Sequence, residues 1–131
     1  LEAGDGAVQR TAIAIATGKV SITPLEAFVR GILCNTLVCL AVWLCSAAHS
    51  VSGKILAIIF PISAFVALGF EHSVANMYLI PVGMLSGAEG VGLQDLFANL
   101  APVTMGNIVG GSLFVALVYW VVYIRPSTAQ P

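Results

Sequence analysis

The sequence predicts an all-α integral membrane protein with three transmembrane segments, the middle one broken near mid-membrane. Three observations carry that reading. Of 131 residues, 59% are hydrophobic and only 8% charged, where a soluble domain carries about 25% charged residues. A soluble domain this small leaves too much of its chain exposed to hide so much apolar surface. The apolar residues also gather into three long runs, and the middle run is too long for one straight crossing. The net charge of −1 supplies no basic patch, so nucleic acid is not an expected partner.

Residues 1–24 are mixed in character, with Gly4, Gly6, Gly18 and Pro24. Their polar ends and modest length predict an external segment that leads into the first span, with DGAVQRTAIAIATGK short and surface-lying, as a helix or without regular structure. LEAGDGAVQR has neither the basic start nor the apolar core of a signal peptide. The chain does not begin with Met and is expected to be a fragment or a cut product. The first span is expected over 25–48, because about 20 apolar residues cross a ~30 Å hydrocarbon core. Glu26 and Arg30, four apart near its start, form a favourable helical pair at the interface. Cys34, Cys39 and Cys45 all fall inside this run at spacings that fit neither a metal motif nor a disulfide framework. They read as small apolar helix residues. A loop, HSVSGK (49–54), follows.

The run 55–85 is the informative part. As one straight helix it would reach about 46 Å at ~1.5 Å per residue, half as far again as the core. Pro61 and Pro81 each lack a helix donor, and Gly69 can take conformations other residues resist. Two half-helices, 55–69 and 73–85, with a short unwound link are therefore expected. Residues 86–100 read as a loop bearing Glu89 and Asp95. The last span is expected over 101–124, with Pro102 near its start. Gly106 and Gly110 form a GxxxG that allows close helix approach, and Tyr119, Trp120 and Tyr123 suit an interface. Lys54 and Arg125 flank the spans on one side, so the positive-inside rule places 49–54 and 125–131 in the cytoplasm. Residues 86–100 and 1–24 then lie outside.

Polar residues within these runs are the candidate site. A charge at the bilayer centre costs about 2.5–3.5 kcal/mol on insertion scales, so Glu71 and His72 should face protein or a watery cavity. Their position at the expected break favours function over a purely structural role, in which Glu71 would accept the donors freed by the break. Asn76, four residues after His72, shares its helix face if the half-helix starts by 72. Asn35, Asn76 and Asn107, one in each span, could converge on a polar centre or simply glue the bundle. Lys19 alone reads as a solvated or snorkelling charge, and Phe65 and Phe70 as packing residues. No serine has a nucleophile's companions, and His49, His72 and Glu71 are too few for a metal site. A haem held by His49 and His72 is disfavoured because the two sit at different depths. No cofactor and no enzymatic activity are expected.

GFEHSVANMYLIP resembles the formate/nitrite transporter family, as do RGILCNTLVCLAVW (30–43) and PVTMGNIVGG (102–111). The resemblance runs from about Gly18 to Arg125. It implies the second inverted repeat, spans four to six, of an aquaporin-like six-span protomer, one of five in a homopentamer. The absent first half would carry the other broken helix, so these residues should not make a complete pore alone. Carried over by motif, His72 is the central pore histidine, meeting the permeant and relaying protons. Lys19 becomes an anion-vestibule or network residue. Asn35, Glu71 and Asn76 are expected to hydrogen-bond with that lysine around the break, Asn107 is the asparagine of span six, and Phe65 an aromatic at a pore constriction. The loop 86–100 is shorter than in many formate channels. The implied function is passive or proton-coupled passage of formate, nitrite or similar small anions, or their neutral acids, across the cytoplasmic (inner) membrane. The competing readings are a non-transporting membrane anchor or structural subunit, and a pore for neutral solutes, which the lack of an NPA repeat weakens.

Overall fold

A computed structural model describes residues 6–125. The first five residues of the expected external segment, and residues 126–131 of the expected cytoplasmic tail, lie outside the described residues. Within them the chain is helical: α1 (Ala7–Val20), α2 (Pro24–Ala47), α3 (Val51–Ala67), α4 (Ser73–Leu85) and α5 (Leu93–Val109). The last helix continues through Gly110–Leu117 and Trp120–Ile124 with looser, i to i+5 hydrogen bonding. Pro24–Ala47 and the joined helix Leu93–Ile124 are each long and apolar enough to cross a membrane, while α3 and α4 are shorter apolar helices.

Local capping chemistry explains where these helices start. Thr23 accepts a hydrogen bond from the Glu26 amide at the head of α2, with Pro24 at the first helical position, where its missing N–H costs nothing. Ser50 does the same for Gly53, so α3 begins at Val51 and shortens the loop expected over 49–54. At the head of α5, the Asp95 carboxylate accepts from the Gly92 amide at 2.9 Å. That cap starts the helix at Leu93, well ahead of the expected 101, and leaves only 86–92 as the connection. Pro102 consequently lies inside the helix rather than near its start. Neither Pro61 nor Pro81 breaks its helix. The interruption falls between Ala67 and Ser73, where Gly69 turns the chain with φ +65°, a region closed to most side chains.

Residues 7–20 differ from the expected surface segment. α1 packs along α4, with Ala16 fully buried. A Cβ on Gly83 would collide with Ala16 and the Ala12 carbonyl, and Gln9 donates to the Ser86 carbonyl at 2.8 Å. The packing of this helix was hard to read because its one buried residue is an alanine, which barely alters the polarity pattern. α2 packs against α3 and against α5 with its continuation. Glycine sets the α2–α5 distance: a Cβ on Gly106 would strike the Phe28 carbonyl, and one on Gly110 the Ile32 carbonyl. At the far end, Trp43 makes edge-on contacts with Tyr119 and Tyr123, both with ring centroids 6.0 Å apart.

The largest fully buried side chains are Ile80, Val103, Asn76 and Cys34, so the interior is small and partly polar. Large apolar side chains instead point outward, among them Phe60 at 72% and Leu85 at 86% exposure. A surface so apolar is stable against lipid or protein, not water, as befits a membrane protein.

Candidate functional site

Ending α3 at Ala67 and starting α4 at Ser73 leaves backbone donors and acceptors to satisfy in an apolar interior. Asn107, from α5, meets several of them. Its Nδ2 donates to the carbonyls of Gly31 (2.9 Å) and Glu71 (3.0 Å), while its Oδ1 accepts from the Ser73 amide and the Ser73 hydroxyl, both at 2.9 Å. His72 caps α4 itself, its Nδ1 accepting from the Ala75 amide at 3.3 Å. Glu71 therefore does not collect the donors freed by the break; Asn107 and His72 do.

The Glu71 carboxylate is turned to a different task. Both its oxygens lie 3.1 Å from the Lys19 ammonium, with the two side chains 4% and 16% exposed. Asn76 Nδ2 donates to Glu71 Oε2 at 2.5 Å and to Asn99 Oδ1 at 2.8 Å. Asn99 Nδ2 donates in turn to the Lys19 carbonyl at 2.8 Å. The chain of bonds closes into a ring joining α1, the break, α4 and α5. Such rings matter because a buried charge is tolerable only when paired and fully hydrogen-bonded. Asn76 Oδ1 has no partner.

His72 and Phe65 face a half-open cleft of about 510 Å³, whose walls also include Lys19, Arg30, Gly69 and Glu71. The Phe65 and His72 rings stack with centroids 6.1 Å apart and an interplanar angle of 29°. His72 is partly exposed there, whereas Asn76 is fully buried. Because α4 begins at Ser73, His72 sits just outside the helix and its ring does not follow the face that Asn76 presents.

The structure thus gathers Lys19, Glu71, His72, Asn76 and Asn107 about one break, but not in a single network. Lys19 is bound to Glu71, so the network role suits it better than that of an open vestibule charge. Asn35 departs from expectation. Its Nδ2 donates to the Asn107 carbonyl at 2.6 Å, pinning α2 to α5, and no hydrogen bond to Lys19 is described for it. Asn76 likewise reaches Lys19 only through Glu71 and Asn99. Two contributors escaped the sequence reading. Asn99 fell in a stretch read as loop. Arg30 was read as an interfacial partner of Glu26, yet its Nη1 donates to the Gly69 carbonyl at 3.1 Å.

Known proteins share this arrangement's sequence and shape. A family model described as formate/nitrite transporter matches residues 2–121. The probable formate transporter of Methanothermobacter thermautotrophicus is 57% identical over 114 residues, 85% of this chain and 41% of that protein. The formate channel FocA of Escherichia coli K12 is 42% identical over 125 residues, 82% of this chain and 44% of its own length. A solved pentameric formate channel with formate bound superposes with a TM-score of 0.86 at 35% identity, covering 95% of this chain and 56% of that one. The chain spans about half the length of the curated relatives it matches, and those relatives are named as channels and transporters, not enzymes. A match over nearly all its residues, with the helix break and its polar braces in place, makes the chain a member of the formate/nitrite transporter family.

Proposed function

We propose that this chain supplies the second half, spans four to six, of a six-span channel for small monovalent anions such as formate or nitrite, or for their neutral acids. The observation that carries the reading is the juxtaposition at the α3–α4 break: a partly exposed His72 in the cleft, backed by the buried Lys19–Glu71 ion pair. An imidazole can change charge near neutral pH. His72 is therefore the group that meets the permeant, compensating an anion's charge or exchanging a proton with it. Phe65, stacked on that ring, narrows the path and disfavours a hydrated ion. Lys19, Glu71, Asn76, Asn107 and Asn35 keep the break in shape.

On this reading three spans cross the membrane: α2 with α1 leading into it, α3 with α4, and the long α5 helix. Together they form one inverted repeat, and the other repeat closes the cleft into a pore. The fivefold assembly of the solved relative, and a place in the cytoplasmic membrane, extend to this chain by similarity. Its exposed apolar faces fit both lipid and neighbouring protomers. The test is flux of formate, nitrite and glycerol into proteoliposomes holding the full-length protein. Anion flux without glycerol flux is the expected result; glycerol passing as fast as formate would overturn the reading.

A further inference from the structure

Arg30 grips the break twice. Its guanidinium donates to the Gly69 carbonyl at 3.1 Å, and its own backbone carbonyl accepts from the Glu71 amide at 3.4 Å. These two contacts bracket Phe70. The other prong of the guanidinium, Nη2, is held by Glu26 Oε1 at 2.5 Å, one helical turn earlier on α2. Glu26 and Arg30 are 42% and 37% exposed, and such a pair contributes little by itself. What it does is aim the guanidinium. The Gly69 carbonyl lies just past the end of α3, where helix carbonyls lack donors and the dipole's negative end favours a cation.

We propose that Arg30 is a positioning residue for permeation: by holding Gly69 and Glu71 it fixes the backbone of the break, and so sets where the His72 ring stands in the cleft. The inference rests on reading that cleft as the permeation route. Asn107 holds Glu71 and Ser73 on the other side, so His72 is carried between two grips from two different helices. Among the described residues the ring is tied down only by the Ala75 amide and the stack on Phe65, so main-chain placement decides its position. The charged groups lining the cleft are Lys19 from α1, Arg30 from α2 and Glu71 of the break; α3 and α4 contribute apolar groups such as Phe65, Ala75 and Leu79. Moving the break therefore changes the distances from His72 to all three charges at once.

The experiment uses the full-length protein, wild type and with Arg30→Gln, Arg30→Lys or Glu26→Gln. Formate flux into proteoliposomes is measured against pH, and hydrogen exchange is measured by mass spectrometry across residues 65–76. Arg30→Gln is expected to speed exchange in that segment and to move the midpoint of the pH profile by roughly half a unit, about a threefold change in protonation ratio at fixed pH. Arg30→Lys keeps the charge without the planar fork and is expected to fall between. Glu26→Gln, which spares the Gly69 bond, should change both less than Arg30→Gln. Wild-type exchange in Arg30→Gln, or flux lowered by one factor at every pH, would overturn the proposal. If Arg30→Gln does not assemble, Arg30→Lys decides: an intermediate change supports the inference and none overturns it. If wild type carries no formate, the transport reading fails, while exchange and the His72 ring titration by NMR still decide the role of Arg30.

Discussion

Lys19 of α1 and Glu71 of the α3–α4 break meet with the ammonium 3.1 Å from both carboxylate oxygens. Neither residue has another buried charge of opposite sign described beside it, so each is the other's neutraliser. Removing one partner of a buried pair costs about 3–5 kcal/mol, because the remaining charge is left uncompensated. Lys19→Met should therefore sharply lower the thermal midpoint of the full-length protein in detergent. The double variant Lys19→Met, Glu71→Gln should recover a substantial part of the loss. Equal destabilisation by the single and double variants would mean that the pair is not coupled.

Asn107 carries a second prediction, set by the chemistry of an amide. It donates to two carbonyls and accepts from the amide and hydroxyl of Ser73, a balance no other side chain of its size reproduces. Asn107→Asp retains the acceptors but removes both donors, and places a negative charge against the carbonyls of Gly31 and Glu71. With about 1–3 kcal/mol for each buried group left unpaired, Asn107→Asp should be less stable than wild type by several kcal/mol. It should also be less stable than Asn107→Ala. Thermal unfolding checks the order; a wild-type midpoint for Asn107→Asp would show that Asn107 does not brace the break.

The break itself was legible because length and geometry speak plainly: 31 residues from Ile55 to Leu85 exceed one crossing, and Gly69 is the residue best able to turn. Asn99 was not legible, because its role depends on α5 beginning at Leu93. That start is set by one carboxylate, Asp95, which reads equally well as an ordinary loop acid. α1 was obscured for a different reason. Ala12, Ala16 and Gly83 allow a close helix contact without leaving a strong apolar stripe. Arg30 was visible as a charge four residues after Glu26, but nothing local reveals a carbonyl 39 residues away. Asn35 illustrates the same point: its place inside a helical run is visible in the sequence, but nothing local says that its amide reaches the Asn107 carbonyl.

Two glycines give a paired prediction about packing. Gly106 lies where a Cβ would strike the Phe28 carbonyl, while a Cβ on Gly18 would meet nothing within 4 Å beyond its own helix among the described residues. Gly106→Ala must push α2 from α5 and should cost about 1–3 kcal/mol, the usual penalty of overpacking. Gly18→Ala, inside α1, should be neutral or stabilising by up to about 1 kcal/mol, because alanine is the better helix former. Both can be read from thermal midpoints. A reversed order would mean that the α2–α5 contact is looser than described.

His72 allows titration to be separated from architecture. Its Nδ1 caps α4 through the Ala75 amide, and its ring stacks on Phe65. Replacing it can thus disturb the helix start as well as remove the imidazole that lines the cleft. His72→Asn keeps a side chain that caps helices well but does not titrate near neutrality. His72→Phe keeps an aromatic stack but loses the cap, at about 1 kcal/mol. If protonation of His72 governs passage, both variants should lose the wild-type variation of formate flux between about pH 5 and 8, the range in which imidazole changes charge. Only His72→Phe should show the added loss of stability. Flux that keeps the wild-type pH dependence in both variants would leave His72 as a helix cap and no more.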